Sequence, residues 1–128
     1  MRFSLHSRRD WESTVAIESE VLPGVRYRLA RMSLGRRSGL IRAIRELAQK
    51  AEFHAAGGVE ERLESSALSL DIDAAYLRWG LAGIEGLRID GEEASPELLI
   101  SHGPEALARE VVAAVKRECA LSEEERKN

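Results

Sequence analysis

Between residues 59 and 84 the apolar positions Val59, Leu63, Ala67, Leu70, Ala74, Leu77, Leu81 and Ile84 recur four or three residues apart, alternating from Leu63 onward. That heptad-like spacing predicts one long amphipathic helix, about 26 residues and roughly 39 Å end to end. Leu68, Ile72, Tyr76 and Trp79 form a second apolar stripe beside the first. A helix apolar over so much of its girth is central to a core or used for association, and the pattern alone leaves open whether the 63–84 seam is core or interface. The chain has 128 residues, 44% of them hydrophobic. That fits a single domain with a modest core and excludes wholesale disorder and a multidomain enzyme.

Around this helix the chain reads as α+β. Residues 14–21 are rich in β-branched side chains and place Val15, Ile17 and Val21 on one face of a strand. Pro23-Gly24 is a type II turn signal, because proline presets φ and glycine accepts the positive φ that follows. Residues 25–32 return as a second strand, with Val25, Tyr27 and Leu29 inward and Arg26 and Arg28 on the other side. Together they predict an N-terminal antiparallel hairpin. After Ser33, a capping residue, the stripe Leu40, Ile41, Ile44, Leu47, Ala48 and Ala51 predicts a helix that starts between 34 and 39 and stops before Ala55-Ala56-Gly57-Gly58.

Past the long helix, residues 86–93 read as a short β element turning at Asp90-Gly91. Ser95-Pro96 marks the N-cap and first position of a compact helix ending near Ser101-His102-Gly103. Pro104-Glu105 opens a last helix to about Cys119, burying Leu107, Val111, Ala114 and Val115, with Cys119 on the same apolar side read as a buried structural thiol. The expectation is therefore one domain over residues 1–121 and a charged, flexible tail over 122–128.

Chemistry-bearing constellations are absent from the sequence. His6, His54 and His102 lie in separate segments with no ligand partner at helical spacing, and the single Cys119 supplies no second thiolate. Asp71 and Asp73, two apart on a helix, diverge by about 200° and cannot converge on one ion. No serine sits in a glycine-flanked elbow, and neither Gly57-Gly58 nor residues 35–39 match a phosphate-binding loop. The chain is read as a non-enzyme with no catalytic, metal or cofactor residues. One cysteine, no apolar run long enough for a membrane span and no signal-like apolar segment in residues 1–10 are read as a protein of a reducing, intracellular compartment.

Charge is distributed unevenly. Residues 1–50 carry eleven basic and five acidic side chains, a balance of +6, while residues 51–128 carry eight and seventeen, or −9. The basic excess centres on Arg26, Arg28, Arg31, Arg36 and Arg37, which a hairpin face and a helix start would present together. Such a cluster fits nucleic-acid phosphates. Against that, its only aromatic, Tyr27, faces the apolar side, and the sequence pI is near 5.7. Docking onto the chain's own acidic half, or onto an acidic partner, fits better. Tyr76 and Trp79 are accounted for as core packing in so small a domain; the sharper reading makes Trp79 the anchor of a protein interface.

Residues 76–99, with Ile89-Asp90-Gly91-Glu92 ahead of the Ser95-Pro96-Glu97 helix start and the Gly103-Pro104-Glu105 helix beyond it, resemble the tail assembly chaperones of long-tailed bacteriophages. Upstream, Gly24-Val25-Arg26-Tyr27, Arg31-Met32-Ser33 and Arg36-Arg37 resemble small prophage proteins of the same type. The resemblance implies a non-enzymatic role in the cytoplasm of a bacterial host during virion morphogenesis, binding the tape-measure protein or tail-tube subunits and keeping their apolar helices in solution. The alternatives are a structural tail or head-tail connector component that forms a homo-oligomer, and a small nucleic-acid-binding regulator using the arginine cluster. Partner-binding candidates, inferred from pattern, are Arg26, Arg28, Arg31, Arg36, Arg37, Tyr76 and Trp79.

Overall fold

The computed structural model describes residues 8–127, with side chains described as far as residue 120. It is α+β: strands β1 (Thr14–Glu18) and β2 (Arg26–Ala30), helices α1 (Leu34–Ala55) and α2 (Val59–Gly80), strands β3 (Leu81–Glu85), β4 (Arg88–Ile89) and β5 (Glu92–Glu93), then helices α3 (Pro96–His102) and α4 (Glu105–Lys127). The N-terminal hairpin, the two long helices, the small β element and the C-terminal helices stand in the expected order. His6 and Asn128 lie outside the described residues.

Local chemistry sets the turns. Gly24 adopts φ +93°, and the Val25 amide donates to the Leu22 carbonyl at 3.0 Å, closing the turn that Pro23-Gly24 signals. Asp90 (φ +52°) and Gly91 (φ +84°) link β4 to β5. The Ser33 hydroxyl accepts from the Arg36 amide at the start of α1, and Ser95 accepts from Leu98 at the start of α3 with Pro96 beside it. Gly103 ends α3.

The long helix is shorter than its heptad pattern predicts. α2 stops at Gly80, and residues 81–85 form β3 on the free edge of β2. Gly80, the last residue of α2, lies so close to α4 that an added Cβ would sit 2.5 Å from Val115 Cγ1, an approach that only glycine admits. Beyond it, a bulge in the β2–β3 register places Leu81 opposite Leu29 and Ile84 opposite Tyr27, so both bury on one face despite their odd spacing. In β1, Val21 does not join the inner face: the strand ends at Glu18, and Val21 is exposed in the loop. At the other end α4 continues as helix to Lys127, past the Cys119 stop that the apolar pattern predicts, and Cys119 itself is half-buried at the edge of the core rather than inside it.

The sheet runs β1-β2-β3, antiparallel throughout. Its inner face contributes Tyr27, Leu29, Leu81 and Ile84 to a core with Leu77 of α2, Leu99 of α3 and Leu107, Val111 and Val115 of α4. Buried Ser19 joins the β1–β2 loop to this core, donating to Glu110 at 2.7 Å while the Glu20 amide donates to the other carboxylate oxygen, also at 2.7 Å. None of the buried core cluster comes from α1. That helix lies against α2 and ends in a tight connection where His54 pairs with Glu61. Among the described residues no helix is long and apolar enough to cross a membrane.

Candidate functional site

The arginines singled out in the sequence separate into two groups. Arg26 and Arg28 lie on the outer face of the sheet. Across it, Glu18 and Glu85 both stand opposite Arg26. Arg26 pairs with Glu18 at 3.0 Å, and Arg28 reaches Glu85 at 3.7 Å and the Thr14 hydroxyl at 3.4 Å. Opposite charges on neighbouring strands make this a balanced ladder. Arg31 lies beyond β2, its guanidinium 5.4 Å from the Trp11 ring centroid in a cation–π contact.

Arg36 and Arg37 point the other way, into the helical part. Arg36 donates to the Trp79 carbonyl in the last turn of α2, a position where guanidinium charge is favoured by the helix dipole. Arg37 donates to the Cys119 carbonyl of α4 at 3.0 Å. The first turn of α1 is thereby tied to two helices. Trp79 is a wedge in the α1–α2 seam: its ring covers Gly39, where an added Cβ would come within 2.6 Å of the indole. Its surroundings are those of packing within the chain.

Tyr76 and Arg37 do come together. With Leu40, Ile41, Ile44 and Arg45 of α1 and Cys119 of α4 they line a trough of about 570 Å³. A smaller hollow of about 320 Å³, lined by Leu34, Arg37, Ser38, Ile41, Arg42 and Arg45, continues it along α1. The floor is apolar and the rim is cationic. Arg42 and Arg45 form no ion pair among the described residues. Tyr76 packs against the core, with Lys116 Nζ 5.1 Å from its ring centroid. Burial first, and then Cys119 and Asp73, raise its pKa above the ordinary 10.0, so the phenol stays protonated.

The other apolar surface belongs to α2. Leu77, at the C-terminal end of the heptad seam, is core, whereas Val59 (66% exposed), Leu63 (65%) and Leu70 (57%) face solvent. The seam is thus core at one end and open surface at the other. A groove of about 330 Å³ between α2, α3 and α4 takes up where the exposed part ends, and Glu105 and Arg109 pair at its edge.

Sequence reasoning named Arg37 and Tyr76 but not Ile41, Ile44, Arg42 or Arg45 as site residues. One signal was available: Leu40 and Ile41 are consecutive, and neighbours on a helix diverge by about 100°, so both cannot face inward. Leu40 is buried and Ile41 is 53% exposed. Among the described residues no three His, Cys, Asp or Glu side chains gather in a way that would hold a metal ion. Compared with protein-family models, with curated proteins and with solved structures, the chain matches none.

Proposed function

We propose that this protein is a non-enzymatic assembly chaperone of a long-tailed bacteriophage, and that it holds an amphipathic helix of the tape-measure or tail-tube protein during virion morphogenesis. The observation that carries the reading is the trough: an apolar floor of Leu40, Ile41 and Ile44 beneath a rim of Arg37, Arg42 and Arg45. A helix laid in such a groove contributes apolar side chains at i, i+3, i+4 and i+7 and acidic side chains at its flanks. The phage assignment rests on the sequence resemblance; the binding mode rests on the trough.

Co-expression with a tape-measure protein tests both. The wild-type chain is expected to be recovered in complex with it, and Ile41→Asp, a change at an exposed position, to weaken recovery at least tenfold without loss of helical circular dichroism. Absence of a complex with the wild type would remove the chaperone reading; equal recovery of the variant would remove the trough as its seat. The structural-component reading is favoured by one observation of its own, the exposed N-terminal half of α2. For a nucleic-acid regulator the support is weaker, because Arg26 and Arg28 face Glu18 and Glu85 and Arg36 and Arg37 bond to backbone carbonyls inside the fold.

A further inference from the structure

The trough and the exposed stripe of α2 are complementary in three respects, although they lie on one chain. In shape, one is a hollow of about 570 Å³ and the other a ridge made by Val59, Leu63 and Leu70. The ridge extends about 17 Å along its helix, and the trough about 12 Å between Arg37 and Arg45, two to three helical turns in each case. Apolar surface faces outward on both.

The charges oppose. α1 carries five basic and two acidic side chains, and α2 carries five acidic and two basic, balances of +3 and −3. On α2, Glu60, Glu64 and Asp71 recur at spacings of four and seven, which sets them in one row along an edge of the ridge. Glu60 and Glu64 form no ion pair among the described residues, and neither do Arg42 and Arg45.

Within one chain these groups cannot meet. α1 and α2 already face each other through other sides, where Trp79 covers Gly39 and the Ser65 hydroxyl donates to the Ala51 carbonyl at 2.9 Å. Pairing like with like between two chains leaves the charges uncompensated. Ridge against ridge would bring together two helices of balance −3, and trough against trough two of balance +3. Ridge in trough is the arrangement that buries apolar surface while neutralising both rims.

We infer that the trough receives the N-terminal half of α2 from a second copy of this chain. Val59 and Leu63 would lie over Ile41 and Ile44, with Glu60 and Glu64 beside Arg42 and Arg45. The two surfaces are different patches, so the contact is head-to-tail, and each added copy presents a new trough or a new ridge. The product is a ring where the rotation closes and an open chain of subunits where it does not. This stands on the two surfaces and not on the identity of any tail protein. A client helix and a second copy would compete for the same trough.

A charge exchange between two variants tests the contact. Glu60→Lys with Glu64→Lys makes the ridge basic, and Arg42→Glu with Arg45→Glu makes the trough rim acidic. By size-exclusion chromatography with light scattering, the wild type is expected to exceed the mass of one chain, increasingly so with concentration. Each double variant alone is expected to run as a single chain. An equimolar mixture should again exceed the mass of one chain, because each variant's ridge then meets an oppositely charged trough in the other. All four positions are exposed, and Leu63→Asp, expected to give a single chain, checks the contact without altering either rim. A wild type that stays at the mass of one chain, an assembly indifferent to these changes, or a mixture that does not reassemble would overturn the inference.

Discussion

At Gly39 an ideal Cβ would lie 2.6 Å from Trp79 Cη2 and 2.9 Å from Cζ3, inside the distance that real Cβ atoms keep. Alanine there gains about 1 kcal/mol of helix propensity but must displace a half-buried indole, at about 1–3 kcal/mol. The second effect wins if Trp79 is held. The indole is half-buried against α1, and that packing opposes its displacement. Gly39→Ala is therefore expected to lower stability by about 1 kcal/mol, read as a drop in the urea midpoint at unchanged slope. Gly35, four residues earlier on the same helix, has nothing within 4 Å of its ideal Cβ. Gly35→Ala should raise the midpoint, corresponding to a gain in stability of about 0.5–1 kcal/mol. Two glycines of one helix would thus respond with opposite signs. If both substitutions stabilise, Trp79 does not pack on α1 as described.

Among the elements, the β1–β2 loop is tied to the helices by a side chain from far along the chain. Glu110 of α4 accepts from the Ser19 hydroxyl and the Glu20 amide, and Ser19 is buried. Glu110→Ala would leave that hydroxyl without its acceptor, so a loss of about 1–3 kcal/mol is expected in chemical unfolding, with Glu110→Gln, which keeps one carbonyl oxygen, losing less. Equal stability of the two variants would show that the loop is not anchored there. Such a contact is illegible in sequence because its partners are remote, and the same holds for β3. Leu77, Leu81 and Ile84 continue the four-three spacing of the helix before them, and only the bulge against β2 lets Leu81 and Ile84 share a face. The pattern was helical; the unpaired edge of β2 decided otherwise. What could be read were features whose cause is local: the Pro23-Gly24 and Asp90-Gly91 turns, the Ser33 and Ser95 caps, the alternation of β2. At the candidate site Arg37 and Tyr76 were legible as an unusual charge and an unusual aromatic. Ile41 and Arg45 were not, because an exposed isoleucine and an exposed arginine on a helix acquire meaning only from the hollow they border.

On the scale of the whole molecule, stability is unevenly divided. The sheet, α3, α4 and the C-terminal end of α2 share one buried cluster, whereas α1 has a single buried residue, Leu40, and is fastened at its start by Arg36 and Arg37 and at its end by the His54–Glu61 pair. Burial of a large aliphatic side chain is worth about 1.5–3 kcal/mol, and polar ties at an exposed surface contribute less each. α1 should therefore open at a lower free energy than the sheet, taking with it the exposed N-terminal turns of α2. Native-state hydrogen exchange in rising urea reads this directly. Amides of α1 and of the first half of α2 are expected to exchange through an opening of lower free energy and smaller urea dependence, while amides of β2 and the middle of α4 exchange only with global unfolding. Isotherms that merge at all urea concentrations would mean that α1 is as integral as the core. Self-association adds a second observable, because a ligand of the native state raises the free energy of any opening that destroys its site. Protection of α1 and of residues 59–70 should then increase with protein concentration and that of β2 should change little below the global limit. A rise confined to the sheet would place the contact between copies elsewhere.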